Sequence, residues 1–253
     1  MQTVPDFSSL NNDGLNMQAV FNLSDLPEPM HAALAAQIGD VSRYRQLILL
    51  AHGGTRMWQA VQASEFRTTA DPVDNFSMHC LQRWFAESTP GTGYAILFPA
   101  PHCSIDLQAL GRLAGWHHPS PFRIGIHPAW GTWFAYRAVA LSDSNLQTTE
   151  RIPTPSPCDS CEAKPCLTAC PACGSTDGPT CGPNSAPDRM EIALRSCIDY
   201  RLEADSRCRS QCLARLACPV GTEHRYSPEQ LHYHYDLSLQ TIRKHFGISA
   251  PSS

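Results

Sequence analysis

The sequence lacks the features that usually place a chain in a membrane or on a secretory route. Its longest apolar runs, residues 47–51 and 94–100, are far shorter than the roughly 20 residues that span a bilayer. The N-terminus has neither the cationic start nor the apolar core of a secretory signal. We therefore expect a cytoplasmic protein without a membrane partner.

Positive charge is also scarce. The chain has 19 Lys and Arg residues against 23 Asp and Glu residues, which gives a formal net charge of −4. Proteins that bind nucleic acids usually carry a basic excess that neutralises phosphates. The composition therefore predicts no nucleic-acid partner.

Cysteine, in contrast, is abundant and unevenly placed. Ten of the twelve cysteines lie after residue 157. Residues 158–220 contain few aliphatic side chains, so this stretch needs something other than a hydrophobic core to hold it together. Since thiols stay reduced in the cytoplasm, clustered cysteines there favour a metal over a disulfide framework.

The cysteines form two groups, and each group ends in Cys-Pro. The first group has the spacing C-x2-C-x4-C-x3-C-P, and the second has C-x10-C-x3-C-x5-C-P. Bacterial-type ferredoxins use C-x2-C-x2-C-x3-C-P, in which the fourth cysteine binds the other cluster. We predict two [4Fe–4S] clusters with the same crossing. The first cluster is assigned to Cys158, Cys161, Cys166 and Cys218, and the second to Cys170, Cys197, Cys208 and Cys212.

Structural zinc is the alternative interpretation of these cysteines. Two C-x2-C pairs, Cys158 with Cys161 and Cys170 with Cys173, have the spacing of a zinc ribbon. That interpretation leaves both Cys-Pro units and the second group unexplained. The remaining four cysteines are not expected to be cluster ligands. Cys173 and Cys181 lie in a Gly/Pro/Ser-rich insertion, and either is an alternative ligand in place of Cys197. Cys80 and Cys103 lie in the first domain, where we expect them to be buried small hydrophobes.

Strand and helix patterns alternate along the chain and predict an α+β fold. Strands are predicted at 45–51, 94–98, 123–127 and 132–141, and helices at 29–38, 56–64, 71–87, 104–116, 186–203 and 227–246. The last two strands are expected to form a hairpin through residues 128–131. Asp71 and Ser227 are the predicted N-caps of their helices. The predicted domains are residues 1–150 and 151–253.

The second domain resembles the dicluster domain of epoxyqueuosine reductases and of related ferredoxin-like proteins. Residues 196–200 (Ser-Cys-Ile-Asp-Tyr) stand where that family has a Cys-Ile-Ser-Tyr-like helix between two cysteine groups that end in Cys-Pro. The resemblance implies a small ferredoxin-like iron–sulfur domain in residues 151–253.

The first domain resembles CblC-type cobalamin-processing proteins. The similar segments are residues 71–74 (Asp-Pro-Val-Asp), 126–128 (Ile-His-Pro), 131–137 (Gly-Thr-Trp-Phe-Ala-Tyr-Arg) and 225–230. Residues 111–116 also echo epoxyqueuosine reductases. The resemblance implies a flavin-reductase-like (nitroreductase-related) α/β fold that holds a corrinoid, namely cobalamin. Its candidate cofactor-binding residues are His127, Trp133, Tyr136 and Arg137. The simpler interpretations are a histidine in a turn for His127, core aromatic side chains for Trp133 and Tyr136, and a surface ion pair for Arg137.

Three functions follow from these patterns. The first is an iron–sulfur electron-transport protein that serves an unidentified redox partner protein. The second is an oxidoreductase that depends on cobalamin or processes it, in which the clusters feed electrons to the corrinoid. The third is a zinc-stabilised interaction module. No catalytic residue is assigned.

Overall fold

The computed structural model describes residues 2–100, 105–173 and 187–247. The chain divides into two compact units. The first unit runs from the N-terminus to His117 and resumes over Trp133–Thr154, and the second contains His118–Thr132 and the chain from Pro155 onward. The expected boundary at residue 150 put His118–Thr132 in the first domain. The division by contacts places these residues in the second unit, where Arg215 Nη2 donates a hydrogen bond of 2.6 Å to the carbonyl of Thr132.

The first unit is built on a four-stranded antiparallel sheet with strand order β1-β2-β4-β3. The strands are β1 (Met17–Asn22), β2 (Gln46–Gly53), β3 (Tyr94–Phe98) and β4 (Phe134–Ser142). Every residue of β2 is buried, as expected for an inner strand with an apolar sequence. The α+β fold class predicted from the sequence is thereby confirmed.

Helices accompany the sheet of the first unit. They are α1 (Ser8–Asn12), α2 (Glu28–Ile38), α3 (Arg56–Ala63), α4 (Pro72–Ser88) and α5 (Leu107–Leu113). Leu34 of α2 and Leu110 of α5 share one core cluster with Leu47 and Leu49 of β2. Ile48 and Leu50 alternate with these leucines and point to the other face of the sheet.

The predicted hairpin of residues 123–127 and 132–141 is wrong. Residues 123–127 contribute only isolated bridges, His118 with Ile126 and His127 with Gly131. The extended segment after Trp133 pairs with β2 and β3 instead, so both of its edges are occupied. Aromatic and β-branched residues indicate extended backbone but do not select its partner. The sequence interpretation also missed β1.

The second unit contains four helices within the residues that the structure describes: α6 (Pro165–Ala169), α7 (Pro187–Leu202), α8 (Leu213–Ala217) and α9 (Pro228–Phe246). Helix α6 packs against α8, and α7 packs against α9. The two long helices agree with the predicted segments 186–203 and 227–246. None of the described helices combines the length and the apolar character that crossing a bilayer requires.

Candidate metal centre

The two short helices of the second unit hold the cysteines in equivalent ways. Helix α6 carries Cys166 and is followed by Cys170, and α8 lies between Cys212 and Cys218. Cys170 (ψ 114°) and Cys218 (ψ 127°) both leave the helix in an extended conformation. The proline that follows each of them disfavours a helical backbone at the preceding residue. Each Cys-Pro unit therefore ends its helix at the cysteine.

A serine two residues before a cysteine fixes one turn on each side of this arrangement. Ser156 Oγ accepts a hydrogen bond of 3.3 Å from the backbone N–H of Cys158. Ser206 Oγ accepts one of 3.2 Å from the backbone N–H of Cys208. Short hydroxyl side chains commonly stabilise turns in this way. The two cysteine loops therefore share local structure as well as their closing Cys-Pro.

Eight thiols assemble into two sets of four in the second unit. Electrostatic interactions between cysteines join Cys158, Cys161, Cys166 and Cys218, here named the Cys158 group. Others join Cys170, Cys197, Cys208 and Cys212, here named the Cys197 group. Cys218, the last cysteine of the second sequence group, joins the first set, and Cys170, the last of the first sequence group, joins the second set. The membership is the crossed one derived from the ferredoxin rule, whereas metal binding by these thiols stays a prediction.

Burial is the largest cause of raised pKa values among the thiols of Cys158, Cys166 and Cys197, and neighbouring thiols raise these pKa values further. Both raise the pKa of Cys158 and Cys166 above the usual value of a thiol, and they raise that of Cys197 to about 11. Without a metal the thiols of Cys158, Cys166 and Cys197 therefore stay protonated at neutral pH. A bound cation reverses this preference, because a coordinating thiol loses its proton.

Backbone N–H groups oppose the effect of burial at several sulfurs. The N–H groups of Leu167, Leu213 and Val220 donate to the sulfurs of Cys166, Cys208 and Cys218, respectively, and lower their pKa in part. Such hydrogen bonds stabilise the thiolate form, which is the form that binds iron. The donor set thus fits clusters held by four thiolates each.

A single metal ion fits the arrangement less well. A structural zinc site needs four ligands around one ion. Among the residues that the structure describes, no three His, Cys, Asp or Glu side chains converge closely enough for that. The proposed zinc ribbon would also need Cys173, which is engaged in a disulfide. A cubane cluster instead binds one cysteine at each of four irons, which matches two sets of four thiols.

The other cysteines fall outside these groups. Cys80 is a free thiol that is only 1% exposed, and burial raises its pKa, so it has the character of the buried small hydrophobe that was predicted. Cys103 and Cys181 lie outside the described residues.

Two buried arginines flank the Cys197 group, and sequence reasoning missed both. Arg201 is 8% exposed and Arg215 is 7% exposed. The guanidinium of Arg215 stacks on the ring of Tyr226 at 4.7 Å. A sequence signal did exist for Arg201, since it follows Cys197 by four residues and shares a helix face with it.

The four candidate corrinoid contacts are divided between the two units. His127 belongs to the second unit, where its Nδ1 accepts hydrogen bonds from the backbone N–H groups of Ala129 (3.0 Å) and Trp130 (3.1 Å). Burial lowers the pKa of His127 to about 4, with a smaller contribution from His118. The imidazole is therefore neutral at physiological pH.

The other three candidates lie in the first unit. Trp133 is fully buried. Tyr136 Oη lies 3.2 Å from His117 Nδ1, and Arg137 Nη2 lies 3.0 Å from His52 Nε2. These side chains thus take part in the packing and polar contacts of their own unit. Cofactor binding by all four residues remains a prediction.

No protein-family model and no curated protein matches this sequence. Several solved structures are nevertheless similar. A selenomethionine-labelled epoxyqueuosine reductase has a TM-score of 0.52 and 11% identity over 88% of this chain and 68% of its own. An epoxyqueuosine reductase with an epoxyqueuosine-modified tRNA-Tyr stem loop has a TM-score of 0.50 and 12% identity over 88% of this chain and 66% of its own.

The B12-trafficking protein CblC from C. elegans is more distant, with a TM-score of 0.42 and 13% identity over 90% of this chain and 88% of its own. The two reductases show a shared fold at low identity, and this chain spans about two thirds of their length (68% and 66%). The likeness to the epoxyqueuosine reductase fold predicted from the sequence is confirmed at this level.

Proposed function

We propose that this protein transfers electrons through two [4Fe–4S] clusters, one held by the Cys158 group and one by the Cys197 group. The observation that carries the proposal is the assembly of eight thiols into two sets of four with crossed membership. Bound clusters would supply reversible one-electron chemistry. A low-potential one-electron donor protein and an acceptor protein complete the reaction.

The residues of the chain bind and shield these centres. The eight thiolates would ligate iron, while the Ser156 and Ser206 turns and the two Cys-Pro units orient them. Cys166, Cys208 and Cys218 are all below 9% exposed, so the protein excludes water from part of each site.

Electron uptake and return test the proposal. Protein purified without oxygen is reduced with dithionite, freed of excess reductant and mixed with a one-electron acceptor. We expect about one electron per cluster, hence about two per chain, to be returned. A variant with Cys166 and Cys208 both replaced by alanine is the matched control and should return almost none. Equal behaviour of the two proteins would contradict the proposal.

The second candidate is a reductase that acts through a bound corrinoid. It is favoured by the fold shared with an epoxyqueuosine reductase over 88% of this chain. His127, Trp133, Tyr136 and Arg137 are the proposed contacts. A tRNA substrate fits less well, because the chain carries a net charge of −4. Hydroxocobalamin that co-elutes with the protein in gel filtration would favour this candidate. Elution of the protein without any bound corrinoid would exclude it.

A further inference from the structure

Arg201 places a buried positive charge beside the Cys197 group. Its Nε donates to the carbonyl of Cys208 at 3.2 Å, Nη1 to Ser238 Oγ at 3.1 Å and Nη2 to the carbonyl of Tyr235 at 3.0 Å. Its guanidinium also lies 5.1 Å from the ring centroid of Tyr235. Contacts on all three nitrogens hold the charge in one position.

The same guanidinium lines the cavity that contains the four thiols of the Cys197 group. This cavity has a volume of about 390 Å³ and lies entirely within the second unit. Arg201 lines this cavity together with Cys197 and Cys208, and its Nε donates to the carbonyl of Cys208. The charge is thus directed at the space where a cluster would be held.

The cations that act on the Cys158 group are more exposed. Lys164 acts on Cys158 and is only partly buried, and Arg225 acts on Cys218 and is exposed. Solvent and salt screen exposed charges, whereas a buried charge in a low dielectric keeps much more of its effect. The two cysteine groups are therefore alike in ligands but different in their electrostatic surroundings.

We propose that Arg201 raises the reduction potential of the cluster held by the Cys197 group above that of the cluster held by the Cys158 group. The inference rests on the proposed iron–sulfur function. Reduction adds one negative charge, which the buried guanidinium stabilises. One electron would then pass from a cluster held by the Cys158 group to one held by the Cys197 group. The first cluster would be oxidised and the second reduced, with no bond broken and no proton transferred.

A potentiometric titration with dithionite, followed by electron paramagnetic resonance, tests the proposal. The unaltered protein should show two separate one-electron steps. In Arg201→Gln the equilibrium constant for reduction at the higher-potential step should fall by about tenfold. For one electron this corresponds to a potential lower by 59 mV. Arg201→Lys, which retains the charge, should recover most of that loss.

Arg207 provides the matched control. It acts on the same thiol, Cys208, but is exposed to solvent. Arg207→Gln should change the equilibrium constant of the same step by less than about threefold, because solvent screens its charge. Shifts of similar size in Arg201→Gln and Arg207→Gln would overturn the role of burial.

The order of the two steps gives a test that does not depend on the arginine variants folding. Cys166→Ala should retain only the centre of the Cys197 group, and Cys212→Ala only the centre of the Cys158 group. We expect the centre retained in Cys166→Ala to be reduced at the higher potential. The reverse order, or an Arg201→Gln protein with both clusters and unshifted steps, would overturn the inference while leaving the proposed function intact. Protein without iron would instead contradict the proposed function.

Discussion

At the scale of single residues, His127 shows how burial keeps a ring neutral while local hydrogen bonds select its acceptor nitrogen. Its Nδ1 accepts two backbone N–H groups, and burial lowers the pKa of the ring from 6.5 to about 4. Protonation would place an N–H against these two donors. Because the folded pKa lies below the unfolded value, the stabilisation is present above pH 6.5 and is lost as the pH falls toward 4.

We expect the free energy of unfolding to drop by about 1–2 kcal/mol across this window, a value reduced to allow for screening at a partly exposed ring. Urea unfolding at several pH values measures the drop. His127→Asn keeps an acceptor near the Nδ1 position but does not titrate, so its profile should be flatter than that of the unaltered protein. Identical profiles would show that other groups control the acid sensitivity.

Gly131 is a residue whose missing side chain matters. Its φ is +58°, and an added Cβ would lie 2.0 Å from the carbonyl oxygen of Val220. Val220 follows the Cys-Pro unit of Cys218, so the close approach connects segment His118–Thr132 to the Cys158 group. We expect Gly131→Ala to lower the free energy of unfolding by about 2–4 kcal/mol, because both strain and overlap result.

Gly247 is the matched control for this change. It has a similar φ of +64°, but no atom of the described residues lies within 4 Å of its added Cβ. Gly247→Ala should therefore cost only the backbone strain, about 1 kcal/mol. Chemical denaturation of the two variants gives the comparison, and equal losses would mean that the contact with Val220 is not tight.

At the scale of elements, sequence patterns predicted where the long helices begin but not whether their first residues make capping hydrogen bonds. Ser227 was predicted as an N-cap, and its Oγ does accept a hydrogen bond of 3.2 Å from Gln230 N. Asp71 stands at the equivalent position before α4, but its side chain makes no capping hydrogen bond. Both residues precede a proline, so the sequence alone could not distinguish them.

The short helices α6 and α8 were not predicted, because five residues are too few to show a periodic pattern. The cysteine spacing was nevertheless informative. Cys-Pro at the end of each sequence group predicted that Cys170 and Cys218 would exchange between the groups. The observed association of Cys170 with the Cys197 group is the same exchange.

The exchange predicts which cysteine variants resemble each other. Cys166→Ala and Cys218→Ala should both lose the centre of the Cys158 group and keep the other. Cys170→Ala and Cys212→Ala should show the opposite loss. Each variant should retain about four irons. Electron paramagnetic resonance of the reduced proteins should give matching spectra within each pair, whereas an uncrossed arrangement would pair Cys166 with Cys170.

At the scale of the whole molecule, composition predicted two parts with different means of stabilisation. The first unit has the hydrophobic core that its apolar strands indicated, with Leu47, Leu49 and Val139 buried in one cluster. The second unit gathers its thiols where aliphatic residues are few. The return of His118–Thr132 to the second unit could not be predicted, because it depends on tertiary contacts such as Arg215 with Thr132 rather than on local pattern.

Two iron–sulfur clusters are proposed for the second unit. The most direct test is the content of iron, acid-labile sulfide and zinc in protein purified without oxygen. We predict about eight irons and about eight sulfides per chain, with a broad visible absorbance that dithionite bleaches. About one or two zinc ions per chain, with no visible absorbance, would contradict the account and identify a structural zinc module.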